Sequence, residues 1–182
     1  MWSVMSLSDS NLFDRLKQIC LLLLDVDGVL TDGSIIFNDN GQEIKCFNAK
    51  DGLGIRLLMD TGIRVGVVTG RRAPALVHRC NNLGIELIFD GIRDKLSILD
   101  NIIARVGVEK EQIAFMGDDL PDLSIMKRVG VAVAPSDACA AVREIAAMVT
   151  TACGGAGAVR ELCEEILKAK GVWQTIMERF SE

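Results

Sequence analysis

The sequence predicts an α/β protein: a doubly wound, Rossmann-like parallel sheet with helices on both faces, a projecting β-hairpin and no cap domain. Three observations point there. Hydrophobic residues make up 49% of the chain and aromatic residues only 4%, the aliphatic balance of strands buried on both faces. Short apolar runs alternate with amphipathic segments along most of the 182 residues, as in successive βα units. Three of those runs end abruptly in polar residues, as strands do when their carboxyl ends open onto a ligand crevice. The length fits one domain over 1–182, with a core over 19–168 and a tail over 169–182.

The first strand is read at 19–24, an apolar run that stops at Asp25. Over 34–48 a short apolar-polar alternation is interrupted by Asp39-Asn40-Gly41; Asn-Gly favours a tight hairpin because both residues tolerate positive φ. Helices follow at 52–61, 74–83, 95–106, 120–129 and 137–146, alternating with strands at 64–68, 86–89, 112–116 and 131–134. A short strand at 148–150 closes one edge. Beyond a Gly154-Gly155-Ala156-Gly157 hinge comes a helix at 159–168. A tail with Val172, Trp173, Ile176, Met177 and Phe180 at helical spacing then packs on this or another subunit. There are no internal repeats and no low-complexity tract.

A formal net charge of -5 and the lack of any basic run exclude a nucleic-acid partner. The cysteines Cys20, Cys46, Cys80, Cys139, Cys153 and Cys163 form no Cys-x-x-Cys pair, and His78 is the single histidine. A zinc site is therefore unsupported, and the thiols are read as reduced and mostly buried. The charged N-terminus precedes an apolar run too short for a signal or a membrane span, which predicts a cytoplasmic protein with no membrane contact.

The predicted strand ends carry the chemistry. Asp25-Val26-Asp27, Thr69-Gly70-Arg71 and Gly117-Asp118-Asp119, with Asp122 one turn later, would line one crevice. Converging carboxylates repel unless a cation neutralises them, and an all-oxygen set suits Mg²⁺. Loop amides through Asp27 and Gly28, the Thr69 hydroxyl and the Lys95 ammonium could surround phosphoryl oxygens. Each feature has a plainer account: Asp-x-Asp-Gly as a turn, Lys95 as a surface charge, Gly117-Asp118-Asp119-Leu120 as a helix cap. A calcium loop from Asp25 fails, because its twelfth position is Ile36 and not a bidentate Glu. All four features in this order, each at a βα junction, favour function.

On these motifs the chain resembles the haloacid dehalogenase-type phosphatase superfamily. The resemblance implies that Asp25 attacks phosphorus and Asp27 handles the proton, with Mg²⁺ held by Asp25, Asp118 and the Asp27 main-chain carbonyl. It places Thr69, Gly70 and Lys95 on the phosphate, and Asp119 and Asp122 in support of the metal. The intervals between motifs leave no room for a cap, so another subunit must roof the site, through the hairpin and the hinged tail. Within the capless branch the chain is similar to homotetrameric members acting on small phosphorylated sugar acids, on the evidence of Phe47-Asn48-Ala49-Lys50-Asp51-Gly52 and Gly154-Gly155-Ala156-Gly157-Ala158-Val159-Arg160-Glu161.

That likeness implies a sugar-acid site of Asn48, Ala49, Lys50, Asp51, Gly52, Arg56, Arg71 and Arg79, some of it from a neighbouring subunit. Read without it, Arg56 and Arg79 are solvated helix residues. Arg160 either enters an adjacent crevice or pairs with Glu164 at i,i+4; His78 receives no role. Arg71 after Thr-Gly favours an eight-carbon acid over a nine-carbon relative, which keeps Glu there. The readings from other classes are a phosphoacceptor domain and a non-catalytic assembly domain.

Overall fold

The computed structural model describes residues 7–181. Its main sheet has six parallel strands in the order β5-β4-β1-β6-β7-β8. These are β1 (Leu21–Leu24), β4 (Arg64–Val68), β5 (Leu87–Phe89), β6 (Ile113–Met116), β7 (Val131–Ala134) and β8 (Met148–Val149). The hairpin is β2 (Ile36–Phe37) paired antiparallel with β3 (Glu43–Ile44). The helices are α1 (Leu7–Gln18), α2 (Ala49–Asp60), α3 (Pro74–Leu83), α4 (Leu99–Val106), α5 (Leu123–Met126), α6 (Ala140–Ile145), α7 (Ala158–Ala169) and α8 (Trp173–Arg179).

The period of two along β1 divides the core. Leu22 and Leu24 pack with Leu16 of α1, Ile55 and Leu58 of α2, Leu76 of α3 and Leu162 and Ile166 of α7. Leu21 and Leu23 face the other layer, with Ile102 of α4, Ile125 of α5 and Val142 of α6. In register, Leu24 lies beside Val67 of β4 and Met116 of β6. The three strands thus finish together, and chain leaves β1 toward β4 on one side and returns to β6 on the other. The crevice lies at that switch point.

Several boundaries differ from the sequence reading, each for a local reason. Residues 7–18 form α1, where no element was predicted. The helix read from 95 begins only at Leu99, because Asp94 accepts from Leu96 N through its side chain (3.1 Å) and from Ser97 Oγ through its carbonyl (2.6 Å), local bonds that compete with a helix. The helix read at 120–129 splits into a 3₁₀ turn (Leu120–Asp122) and a short α5. There Asp119 Oδ1 accepts from Leu120 N and Asp122 Oδ2 from Asp118 N, consuming the first turn in capping. The 137–146 helix shortens to α6 because Asp137 accepts from Gly154 N (2.9 Å) and Cys139 N donates to Asp118 O (2.9 Å). Conversely α2 starts early, since Asn48 Oδ1 caps Lys50 N at 2.8 Å.

In the hairpin turn only Gly41 has positive φ, and Asn38 N donates to Gln42 O. The connection is a longer turn than the two-residue Asn-Gly type. The segment read as a glycine hinge is also corrected. Gly155 N donates to Val29 O at 2.9 Å, and Gly154 is buried against the loop after β1; it is a clasp. All six cysteines are free, yet only Cys80 and Cys163 are buried, fewer than expected.

Candidate active site

Asp25 follows β1 directly and extends its ladder, its N–H donating to Met116 O at 3.0 Å. The chain then coils tightly: the amides of Val29, Leu30 and Thr31 all donate to Val26 O. Gly28 makes this possible. Its φ is +82°, and a Cβ there would come within 2.1 Å of Asp118 Oδ2, so the loops after β1 and β6 meet only around a bare α-carbon.

Carboxylate oxygens of Asp25, Asp118 and Asp122 lie within 4.8 Å of one another. Lys95 is inserted among them, 3% exposed, with Nζ 2.8 Å from Asp25 Oδ1 and hydrogen-bonded to Asp122 Oδ1. Burial opposes its charge, but Asp25 and Asp122 outweigh burial and hold its pKa above the ordinary lysine value. The acids are strained the other way. Burial, aided by the charge of Asp122 and resisted by Lys95, pushes Asp25 up to about 6. Burial and the neighbouring Asp25, Asp122 and Asp119 push Asp118 up to about 7. One lysine does not neutralise three converging acids. The all-oxygen donor set of Asp25, Asp118 and Asp122, without histidine, therefore fits a hard divalent cation such as Mg²⁺.

Thr69 and Gly70 reach the same crevice from β4, and Arg71 and Asp27 stand at its mouth; its volume is about 510 Å³. Arg71 lies 3.6 Å (Nε) from Asp27 Oδ2. Asp119 is exposed and caps the 3₁₀ turn, whereas Asp122 is buried and receives the amides of Asp118 and Asp119. A second hollow of about 370 Å³ at the amino ends of β4 and β5, near Met59, Gly62 and Arg105, gathers no comparable set of acids and hydroxyls.

The remaining predicted substrate residues lie apart from this crevice within the chain. Ala49, Gly52, Arg56 and Arg79 border a separate hollow of about 170 Å³ between α2 and α3. There Arg56 Nη2 donates to Asn82 O and Arg79 Nη2 to Asn48 O, while Lys50 is exposed. Asp51 is buried and committed elsewhere: Oδ1 accepts from Arg160 N at 2.8 Å, at the start of α7. Burial raises its pKa against that bond. Of the two readings of Arg160, the pairing is realised, with Nε 2.6 Å from Glu164 Oε1. His78 borders an outer hollow with Arg72 and Asp90.

A profile of haloacid dehalogenase-like hydrolases matches residues 85–161. The chain is 42% identical over 157 residues to the 3-deoxy-D-manno-octulosonate 8-phosphate phosphatase of Escherichia coli K12, covering 86% of this chain and 84% of that protein. The chain belongs to the haloacid dehalogenase-like hydrolases. It is an enzyme, a phosphoric monoester hydrolase of the family it shares with these phosphatases. The Yersinia pestis phosphatase of the same name is 44% identical over 160 residues, covering 88% and 86% of the two chains. The Moraxella catarrhalis phosphatase, solved with a magnesium ion, a phosphate ion and KDO, superimposes with a TM-score of 0.92 at 38% identity, covering 94% and 98%.

As a haloacid dehalogenase-like hydrolase the protein has no cap among its described residues; between Asp27 and Thr69 stand only the hairpin, α2 and the core strand β4. The hairpin brings the residues that sequence reasoning missed. Lys45 hydrogen-bonds Asp27 Oδ1, and Glu43 Oε2 lies 3.1 Å from Arg71 Nη2. Glu43 and Lys45 are two apart on an extended segment and so share a face. Alternation with exposed Ile44 was the signal available.

Proposed function

We propose that the protein hydrolyses 3-deoxy-D-manno-octulosonate 8-phosphate to the free sugar acid and phosphate, in lipopolysaccharide biosynthesis. Bound by Asp25, Asp118 and the Asp27 carbonyl, Mg²⁺ would supply neutralisation of the carboxylates and of the phosphoryl oxygens. Asp25 attacks phosphorus and the ester P–O bond breaks, its oxygen taking a proton from Asp27. Asp27, now a carboxylate, takes a proton from water; the water oxygen attacks phosphorus and the Asp25 O–P bond breaks. Thr69, Lys95 and the amides at Asp27 and Gly28 hold the phosphoryl oxygens, and Asp119 and Asp122 fix the loop carrying Asp118.

The observation that carries the substrate reading is Arg71 at the crevice mouth, directly after Thr69-Gly70. A guanidinium there suits a carboxylate-bearing substrate. Arg56, Arg79, Asn48, Ala49, Lys50 and Gly52, apart from the crevice in one chain, complete the site from a neighbouring protomer in a homotetramer of a cytoplasmic enzyme. Supporting assembly, the hairpin exposes Ile35 (54%), Ile36 (43%), Phe37 (59%) and Ile44 (45%) together.

The test compares Mg²⁺-dependent turnover of the eight-carbon 8-phosphate, a nine-carbon 9-phosphate and simple sugar phosphates, with Asp25→Asn as the inactive control. Preference for the first is expected; equal rates on all refute the substrate while leaving the reaction standing. Sedimentation at assay concentration checks assembly, a fully active monomer being the refuting result.

A further inference from the structure

We propose that Lys45, on the hairpin, is a positioning residue that fixes which oxygen of Asp27 handles the proton. This rests on the reading of Asp27 as the proton donor to the leaving oxygen. Lys45 is two residues beyond Glu43, outside the four motifs, and its side chain is 2% exposed although the hairpin around it is open to solvent. Its ammonium donates to Asp27 Oδ1 and lies 2.9 Å from Glu43 Oε1. Burying an ammonium without compensation is costly, so its placement between two carboxylates is a built arrangement.

The consequence follows from the two oxygens of one carboxyl group. With Oδ1 accepting from Lys45, only Oδ2 remains to carry a proton toward the crevice, where Arg71 Nε stands 3.6 Å away. When Asp27 is protonated on Oδ2, its Oδ1 is a carbonyl oxygen and still accepts from Lys45. When Asp27 is a carboxylate, the same bond keeps the group from rotating. Glu43 ties the pair to substrate recognition, since Oε2 holds Arg71 at 3.1 Å while Oε1 faces Lys45. Arg71 drawn toward a substrate carboxylate therefore leaves Lys45 as the remaining cation on Asp27. An oriented general acid contributes about 10²–10⁴-fold to a reaction that needs it, so losing the orientation should forfeit part of that.

Leaving groups separate positioning from a merely structural role. An alkyl phosphate needs a proton on its departing oxygen; p-nitrophenyl phosphate departs as a stabilised phenolate and needs little help. The measurement is kcat/KM, which reports the step up to loss of the leaving group, for both esters in wild type, Lys45→Met and Lys45→Arg. Lys45→Met is expected to lower the ratio of alkyl to aryl kcat/KM at least about tenfold, and Lys45→Arg to restore most of it. Equal loss on both esters, or no loss on either, overturns the role. Thermal unfolding of each variant identifies one that has failed to fold, and Glu43→Gln, which loosens Lys45 without removing it, then supplies the same ratio. A wild type inactive on the eight-carbon acid phosphate refutes that substrate, and the ratio is then read on whichever alkyl phosphate it does turn over. Turnover of no alkyl phosphate overturns both.

Discussion

The α-carbon of Gly154 lies so close to the Gly28 carbonyl that a Cβ on it would come within 1.8 Å of that oxygen. The oxygen belongs to the loop that carries Asp25 and Asp27, so any side chain at 154 must push the catalytic loop. Gly154→Ala should lower kcat by roughly 10²-fold, the scale of a misplacement of about 1 Å. The far-ultraviolet circular dichroism should be retained. Unchanged turnover would show that the loop yields freely.

Lys95 compensates two buried acids at once. Lys95→Met leaves Asp25 and Asp122 without their cation and should destabilise the metal-free protein by about 3–5 kcal/mol. Denaturant unfolding in a chelator measures this, and Mg²⁺ should recover part of the loss.

Metal binding should depend on pH in a defined direction. Asp25 at about 6 and Asp118 at about 7 stand above the 3.8 of a free aspartate. The folded, metal-free state therefore binds protons more tightly than the unfolded one. Its stability from these groups is greatest below the free value and falls as pH rises through the folded ones. A cation requires both groups as carboxylates, so it must displace those protons. The rise in Tm produced by a fixed Mg²⁺ concentration should be small near about pH 5 and large near about pH 8. A rise independent of pH would contradict the electrostatics of the cluster.

Asp51 tests the connection between α2 and α7. Asp51→Ala leaves the partly buried Arg160 N–H unpaired and should cost about 1–3 kcal/mol in urea unfolding. Asp51→Asn keeps an acceptor and should cost less. Equal effects would mean that the charge, not the hydrogen bond, is what the site requires.

Strand ends and acids were legible in the sequence because they are local. Apolar runs that stop at Asp25, Thr69 and Gly117 mark both the strand and its functional terminus, and β4, α3 and β7 fall at their predicted limits. What escaped reading depends on contacts distant in sequence. Asp51 reads as a substrate ligand until α7, more than a hundred residues on, presents its amide. Gly154 to Gly157 read as a hinge because glycine composition is the same for a joint and for a close approach of two backbones; the Val29 carbonyl decides it. Lys45 was hidden because two-residue strands give too little alternation to show which side meets Asp27.

The clasp also has a meaning for synthesis. Gly154 and Gly155, which brace the loop around Gly28 and Val29, and α7, which Asp51 caps, leave the ribosome last among the parts that shape the crevice. A nascent chain thus carries Asp25 on a loop that the clasp does not yet back. The hydrolytic centre is therefore complete only once these residues have emerged. Chains released after residue 153 should accordingly bind Mg²⁺ poorly and turn over no phosphate ester.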